Sequence, residues 1–244
     1  MKIVTVANTK GGVAKTTNVI HLANAVARHG GGRVLVVDCD HNNNLTDYYL
    51  PDAPLEDLET RSIKRVLLGV VPIEDAIYRT SDSEIDILPA TTRLVTIGAE
   101  LAGNLSAHMR FLSSLRRQDY STVFIDAPPS LAYEARVGLM AADIVLSPFF
   151  FNRWAIQGVQ TILDELAGID RDTGKMPVFL AVPANVTSRE DEACRDPALG
   201  VPNLAKTTIL KRNPIRDSVI LRKLPKDGSA AAQDFESLVV EADL

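Results

Sequence analysis

Short apolar runs alternate along the chain with longer stretches in which apolar positions recur at helical spacing. That alternation predicts an α/β fold: a mostly parallel, twisted sheet with helices on both faces. Strands are predicted at Lys2–Ala7, Arg33–Asp38, Ile85–Pro89, Thr122–Asp126, Ile144–Pro148, Val178–Pro183 and Thr207–Leu210. Helices are predicted at Thr16–Arg28, Asn104–Arg117, Leu131–Ala141, Ala155–Ala167 and Ala230–Glu241. The first carries Val19, Ile20, Ala23, Val26 and Ala27 on one face and is stopped by Gly30, Gly31 and Gly32. Leu50–Ser83 is richer in proline and charge, with a short helical pattern over Arg61–Leu68, and reads as a surface excursion within a single domain spanning residues 1–244.

Composition adds limits. The chain has 244 residues, 46% hydrophobic, 23% charged and 5% aromatic, which is the profile of a soluble globular protein. No apolar run approaches the roughly 18 residues that cross a bilayer, and the start MKIVTVANT has neither a basic leader nor a cleavage site, so a cytoplasmic protein is expected. Cys39 and Cys194 share no metal or redox spacing and are expected to be inert thiols.

The candidate chemistry begins at NTKGGVAKTT, between the first strand and the first helix. A strand, a glycine turn with lysine and hydroxyl residues, and a helix present backbone N–H groups to phosphate. Gly11 and Gly12 allow close approach, Lys15 can reach the β and γ phosphates, and the Thr16 hydroxyl is suited to Mg²⁺. Asp126 ends the strand VFID, where a carboxylate can hold Mg²⁺ directly or through water. Asp38 and Asp40 close the second strand two residues apart, so they share a face; one can support the metal shell and the other can orient water.

The KGGxxK[ST] loop at Lys10–Thr16, the Asp38–Asp40 pair and DAPPS at Asp126–Ser130 together resemble the deviant Walker A ATPases, most closely the ParA-type partition ATPases. NLTDYYL, ILPAT and TILKRNPIRDSV extend the likeness over nearly all of the chain. The resemblance implies a P-loop NTPase fold and a homodimer that forms on MgATP, with nucleotide held by Lys10, Gly11, Gly12, Val13, Ala14, Lys15, Thr16 and Thr17. Lys10 would reach the partner's ATP, Asp40 would position the attacking water, and Asp38 would sit near a metal held by Thr16 and Asp126. Pro183 and Asn185, in VPANV, match the segment that contacts adenine. A ParB-like or other adaptor would stimulate hydrolysis, and the cargo would be a plasmid or chromosome, or a non-DNA assembly such as a carboxysome.

Two departures stand out. Ala14 occupies the position of the family's glycine before the Walker lysine: at positive φ it costs roughly 1 kcal/mol, whereas at negative φ the change is mild. His41 and Asn42 replace the proline and glutamine usual after the aspartate pair.

The net charge of −5 conceals an uneven distribution. Lys206–Lys226 carries seven basic residues against Asp217 alone, and the tail beyond it is acidic. Lys211, Arg212, Arg216, Arg222 and Lys223 resemble the ParA patch for nonspecific double-stranded DNA, which implies nucleoid association. A MinD-like membrane anchor is disfavoured because the last helix has Asp234, Glu236 and Glu241 and no basic residue. Other readings are an ATP-sensing scaffold with little hydrolysis and a small-molecule kinase or synthetase on the same fold.

Overall fold

The computed structural model describes residues 1–30, 32–102, 104 and 106–244. Among the described residues eight strands form one sheet in the order β3-β4-β2-β5-β1-β6-β7-β8. They are β1 (Lys2–Val6), β2 (Val34–Asp38), β3 (Tyr78–Arg79), β4 (Ile85–Leu88), β5 (Thr122–Asp126), β6 (Ile144–Phe149), β7 (Val178–Val186) and β8 (Ile209–Leu210). Every pairing is parallel except β3 with β4. The predicted α/β class, with its mostly parallel sheet, is the observed one.

Continuous apolar strands are what a sheet buried on both faces needs, and side chains alternate between those faces. Val4 and Val6 of β1, Val34 and Val36 of β2, and Phe124 of β5 point to one layer. It holds α1 (Lys15–Arg28), α2 (Asn44–Tyr49) and, from the chain's end, Ile215 and Phe235. Ile3, Leu35, Val37, Val123 and Ile125 point to the opposite layer. α3 (Leu55–Thr60) leads into that layer, which holds α4 (Ile63–Leu67), α5 (Ile73–Ala76), α6 (Ile97–Glu100), α7 (Ser106–Leu115) and α8 (Tyr133–Ala141). It continues through α9 (Arg153–Thr173), whose Val159, Ile162 and Leu166 cover β6 and β7, and α10 (Ser188–Cys194). The chain closes with α11 (Asn213–Leu221) and α12 (Ala230–Glu241).

Leu50–Ser83 is not a surface excursion. Leu58, Ile63, Val66, Leu67, Ile73 and Ala76 are buried, and most join Phe111 and Leu115 in the core under β2 and β4. The spacing of Ile63, Val66 and Leu67 is the helical signal that proline and charge obscured. α9 is longer than predicted because Asn152 caps it, accepting from the Trp154 amide at 2.9 Å, and Gly174 ends it at φ 69°. β8 is shorter because the Lys206 and Thr207 amides donate to the Glu241 carboxylate, at 2.7 and 2.8 Å, instead of to β7. Gly31 and Leu105, within the predicted helix stop and the predicted Asn104–Arg117 helix, lie outside the described residues.

The acidic α12 packs its apolar face inward through Ala231, Phe235, Leu238 and Val239. Among the described residues no helix is long and apolar enough to cross a membrane. Both cysteines are buried and free.

Candidate functional site

β1 lies between β5 and β6, and the C-terminal ends of β1, β2 and β5 converge: Val6 pairs with Asp126, and Asp126 with Asp38. A crevice at the carboxyl ends of parallel strands is the usual ligand position in such sheets. The loop from β1 to α1 enters it and is held from below by Asn8, which is fully buried. Asn8 Nδ2 donates to the Pro148 and Ala155 carbonyls at 3.0 and 3.2 Å, and its Oδ1 accepts from the Lys10 amide at 2.8 Å. Val13 anchors the middle of the loop in the apolar cluster with Ala7, Ala127 and Ala155.

Gly12 and Ala14 both have positive φ, 77° and 64°. Of the two outcomes open from the sequence, the structure takes the costly one: Ala14, at the N-cap of α1, is left-handed with ψ 30°. Its conformation aims the Ala14 carbonyl at Asn18, which donates through both its amide (2.9 Å) and its side chain (2.7 Å). An alanine there costs roughly 1 kcal/mol relative to glycine. Ala14→Gly is therefore expected to raise unfolding stability by about 1 kcal/mol in urea titration; unchanged stability would show that the loop accommodates the methyl without strain.

Lys15 is buried, and its Nζ lies 3.5 Å from the Lys10 carbonyl. Burial pushes its pKa down, while Asp126 and Asp40 oppose the shift. The Thr16 hydroxyl donates to Asp126 Oδ2 at 2.6 Å. Burial, with Asp38 beside it, pushes the Asp126 carboxyl up to about 8, and burial takes Asp38 up to about 7. Both oxygens of Asp38 serve the loop: Oδ1 accepts from the Asp40 amide, and Oδ2 from the Thr46 amide and hydroxyl. Asp126 Oδ1, by contrast, is buried with no partner. An unpaired buried carboxylate oxygen beside a threonine hydroxyl fits a hard cation. Among the described residues no group of three or more His, Cys, Asp and Glu side chains is gathered to hold a metal ion.

Lys15, Thr16 and Asp40 line a cleft of about 520 Å³ with Gly11, Gly12, Ala14 and Thr17. Its far wall, which the sequence did not reveal, contains Tyr48, Val219, Ile220 and Arg222. Arg222 reaches across its mouth, donating to the Asp47 carbonyl at 2.9 Å. Pro183 and Asn185 are not in this lining. Pro183 pairs with Phe149 inside the sheet, and Asn185 sits at φ 58° in the irregular stretch where β7 meets β8. The Lys10 side chain is exposed.

The basic segment is partly neutralised. Arg212, at the N-cap of α11, pairs with Asp234 of α12 through Nε and Nη2, at 2.8 and 3.1 Å, and is 29% exposed. Arg216 points outward, 68% exposed, with its guanidinium on Asp217. Lys211 and Lys223 are exposed. The helix α11 is fastened to α1 where Ser218 Oγ meets His21 Nε2 at 2.8 Å, and burial pushes the His21 ring down to about 4.

A strand–loop–helix with this lysine, hydroxyl and carboxylate set is the site of a P-loop nucleotide-binding protein. Residues 1–176 match the family model described as an AAA domain. A ParA family protein of Chlamydia pneumoniae is 33% identical over 178 residues, covering 69% of this chain and 66% of that relative. The chain belongs to this AAA-domain family, among its ParA-type members. The match thus spans just under two thirds of that relative's length. The apo McdA structure from Cyanothece superposes with TM-score 0.88 and full coverage of both chains at 18% identity, a likeness of fold. A cobyrinic acid a,c-diamide synthase from Mycobacterium smegmatis, solved with an ATP analogue and magnesium, is 28% identical with TM-score 0.81, covering 97% of this chain and 92% of that one.

Proposed function

We propose that this protein is a single-domain ParA-type ATPase that dimerises on MgATP, binds nonspecific DNA in that state, and positions a cargo selected by a separate adaptor. The observation that carries the reading is the joint placement of Lys15, the Thr16–Asp126 pair and Asp40 at the phosphate-loop cleft. The ParA relative supports it.

Backbone amides of Gly11–Thr17 and the Lys15 ammonium would take the phosphates, and the buried Lys15 would regain its charge beside them. Thr16 and Asp126 would hold Mg²⁺, with Asp38 fixing the loop beside them. An ion held there would supply positive charge to the phosphates. Asp40 orients the water that attacks the γ phosphorus, giving ADP and phosphate, while Lys10 of a second copy stabilises the transferred charge. Ala14 slows turnover without abolishing ATP binding.

DNA contact falls to Lys211, Arg216, Arg222 and Lys223; Arg212, committed to Asp234, orients α11 beneath them. Phosphate neutralisation of this kind is sequence-independent and salt-sensitive. The test is binding to random-sequence duplex across a salt series with ATP, ADP or no nucleotide. Binding is expected with ATP only, weakening steeply with salt, and at least about tenfold weaker in Arg216→Glu. Binding equal in all states, or absent from all, would favour an ATP-sensing scaffold. The likeness to the diamide synthase keeps a small-molecule synthetase as the second reading, which requires ATP consumption that depends on an organic acid substrate.

A further inference from the structure

His41 follows Asp40 directly, and its ring lies between two carboxylates. Nδ1 is 3.9 Å from Asp40 Oδ1 and 4.0 Å from Oε1 of Glu134 in the first turn of α8. Nδ1 is buried and has no hydrogen-bond partner. Glu134 is only 4% exposed, and burial pushes its carboxyl up, opposed by its own backbone amide and by His41. Asp40 Oδ1 accepts from the backbone and side-chain nitrogens of Asn42, both at 2.9 Å.

We propose that Glu134 and His41 form a dyad that positions Asp40 for water activation, a proposal that rests on the ATPase reading above. A buried carboxylate is costly unless cations or donors face it, and beyond its own backbone amide the basic group paired with Glu134 among the described residues is His41. The ring nitrogen is nearly equidistant from both acids and beyond hydrogen-bond reach of each, so a shift of about an ångström completes a bond to one or the other. Glu134 stands on a helix packed against the sheet, whereas Asp40 stands on a loop. The rigid acid therefore holds the ring, and the ring orients the loop acid. α8 follows the Asp126–Ser130 turn, so the dyad also ties the loop carrying Asp40 to the strand end carrying Asp126. His41 and Glu134 are positioning residues, acting through Asp40.

The test measures kcat and KM for MgATP hydrolysis, with hydrogen exchange at the Asn42 amide, in the full chain. His41→Ala and Glu134→Gln are each expected to lower kcat about tenfold with KM for ATP within about twofold, as outer-shell partners of a reacting group do. The double variant is expected to fall no further, because the two side chains act as one unit. His41→Asn, which restores a donor near the Nδ1 position, recovers most of the rate. Exchange at Asn42 is expected to quicken in His41→Ala and Glu134→Gln. Unchanged kcat, or losses that multiply in the double variant, would overturn the dyad. If the wild-type chain hydrolyses no ATP, the ATPase reading fails on its own; the exchange measurement still decides the dyad, and equal exchange in all forms would refute it.

Discussion

Gly158→Ala is expected to lower stability by about 3 kcal/mol and to weaken ATP binding, although Gly158 lies inside α9, in its second turn. A Cβ at Gly158 would overlap Asn8 Oδ1 and come within 3.1 Å of Thr9 Oγ1. Asn8 has no free space to retreat into, because it is fully buried and bonded to β6, α9 and the Lys10 amide. Moving it sacrifices three hydrogen bonds, each worth about 1 kcal/mol net, and releases the start of the phosphate loop. Urea unfolding and ATP titration of the same variant check both halves. Normal stability with normal affinity would show that Asn8 does not hold the loop.

Asp86→Ala is expected to cost about 3 kcal/mol while leaving ATP affinity unchanged. Asp86, on β4, is 1% exposed and collects three partners: Arg33, Arg79 Nη1 at 3.2 Å and the Tyr120 hydroxyl at 2.6 Å. Removing the carboxylate strands the donors around it, which is where breaking a buried ion pair becomes expensive. The two guanidiniums reach solvent, with side chains 35% and 69% exposed, which keeps the loss near the lower end of the range for buried pairs. Thermal and urea unfolding measure the loss. An equally weakened ATP affinity would contradict the separation of this cluster from the nucleotide cleft.

The two variants mark what the sequence could and could not reveal. β1, β2 and β5 were legible because strands buried on both faces are apolar at nearly every position, and Lys10–Thr16 was legible because its spacing is local. The contacts between Asn8 and Gly158, His41 and Glu134, and Arg212 and Asp234 join distant segments, and only the docking of helices on the sheet creates them. An isolated glycine within the pattern of α9 was the sole local signal of the first. α11 went unread because its charges resemble a loop, although Pro214 at its start is a helix-opening signal. Tyr48 and Val219 lie in segments that extend the family likeness, but nothing local places them or Ile220 beside the phosphate loop, so the far wall of the cleft emerged only from packing.

The most direct test of ATP hydrolysis at this cleft is phosphate release from MgATP by the wild-type chain and by Asp40→Ala, with ATP affinity measured on both. Hydrolysis by the wild type is expected, with release at least about tenfold slower in Asp40→Ala and ATP affinity retained within about threefold. Equal release by the two proteins, or a wild-type chain that binds no ATP, would contradict it.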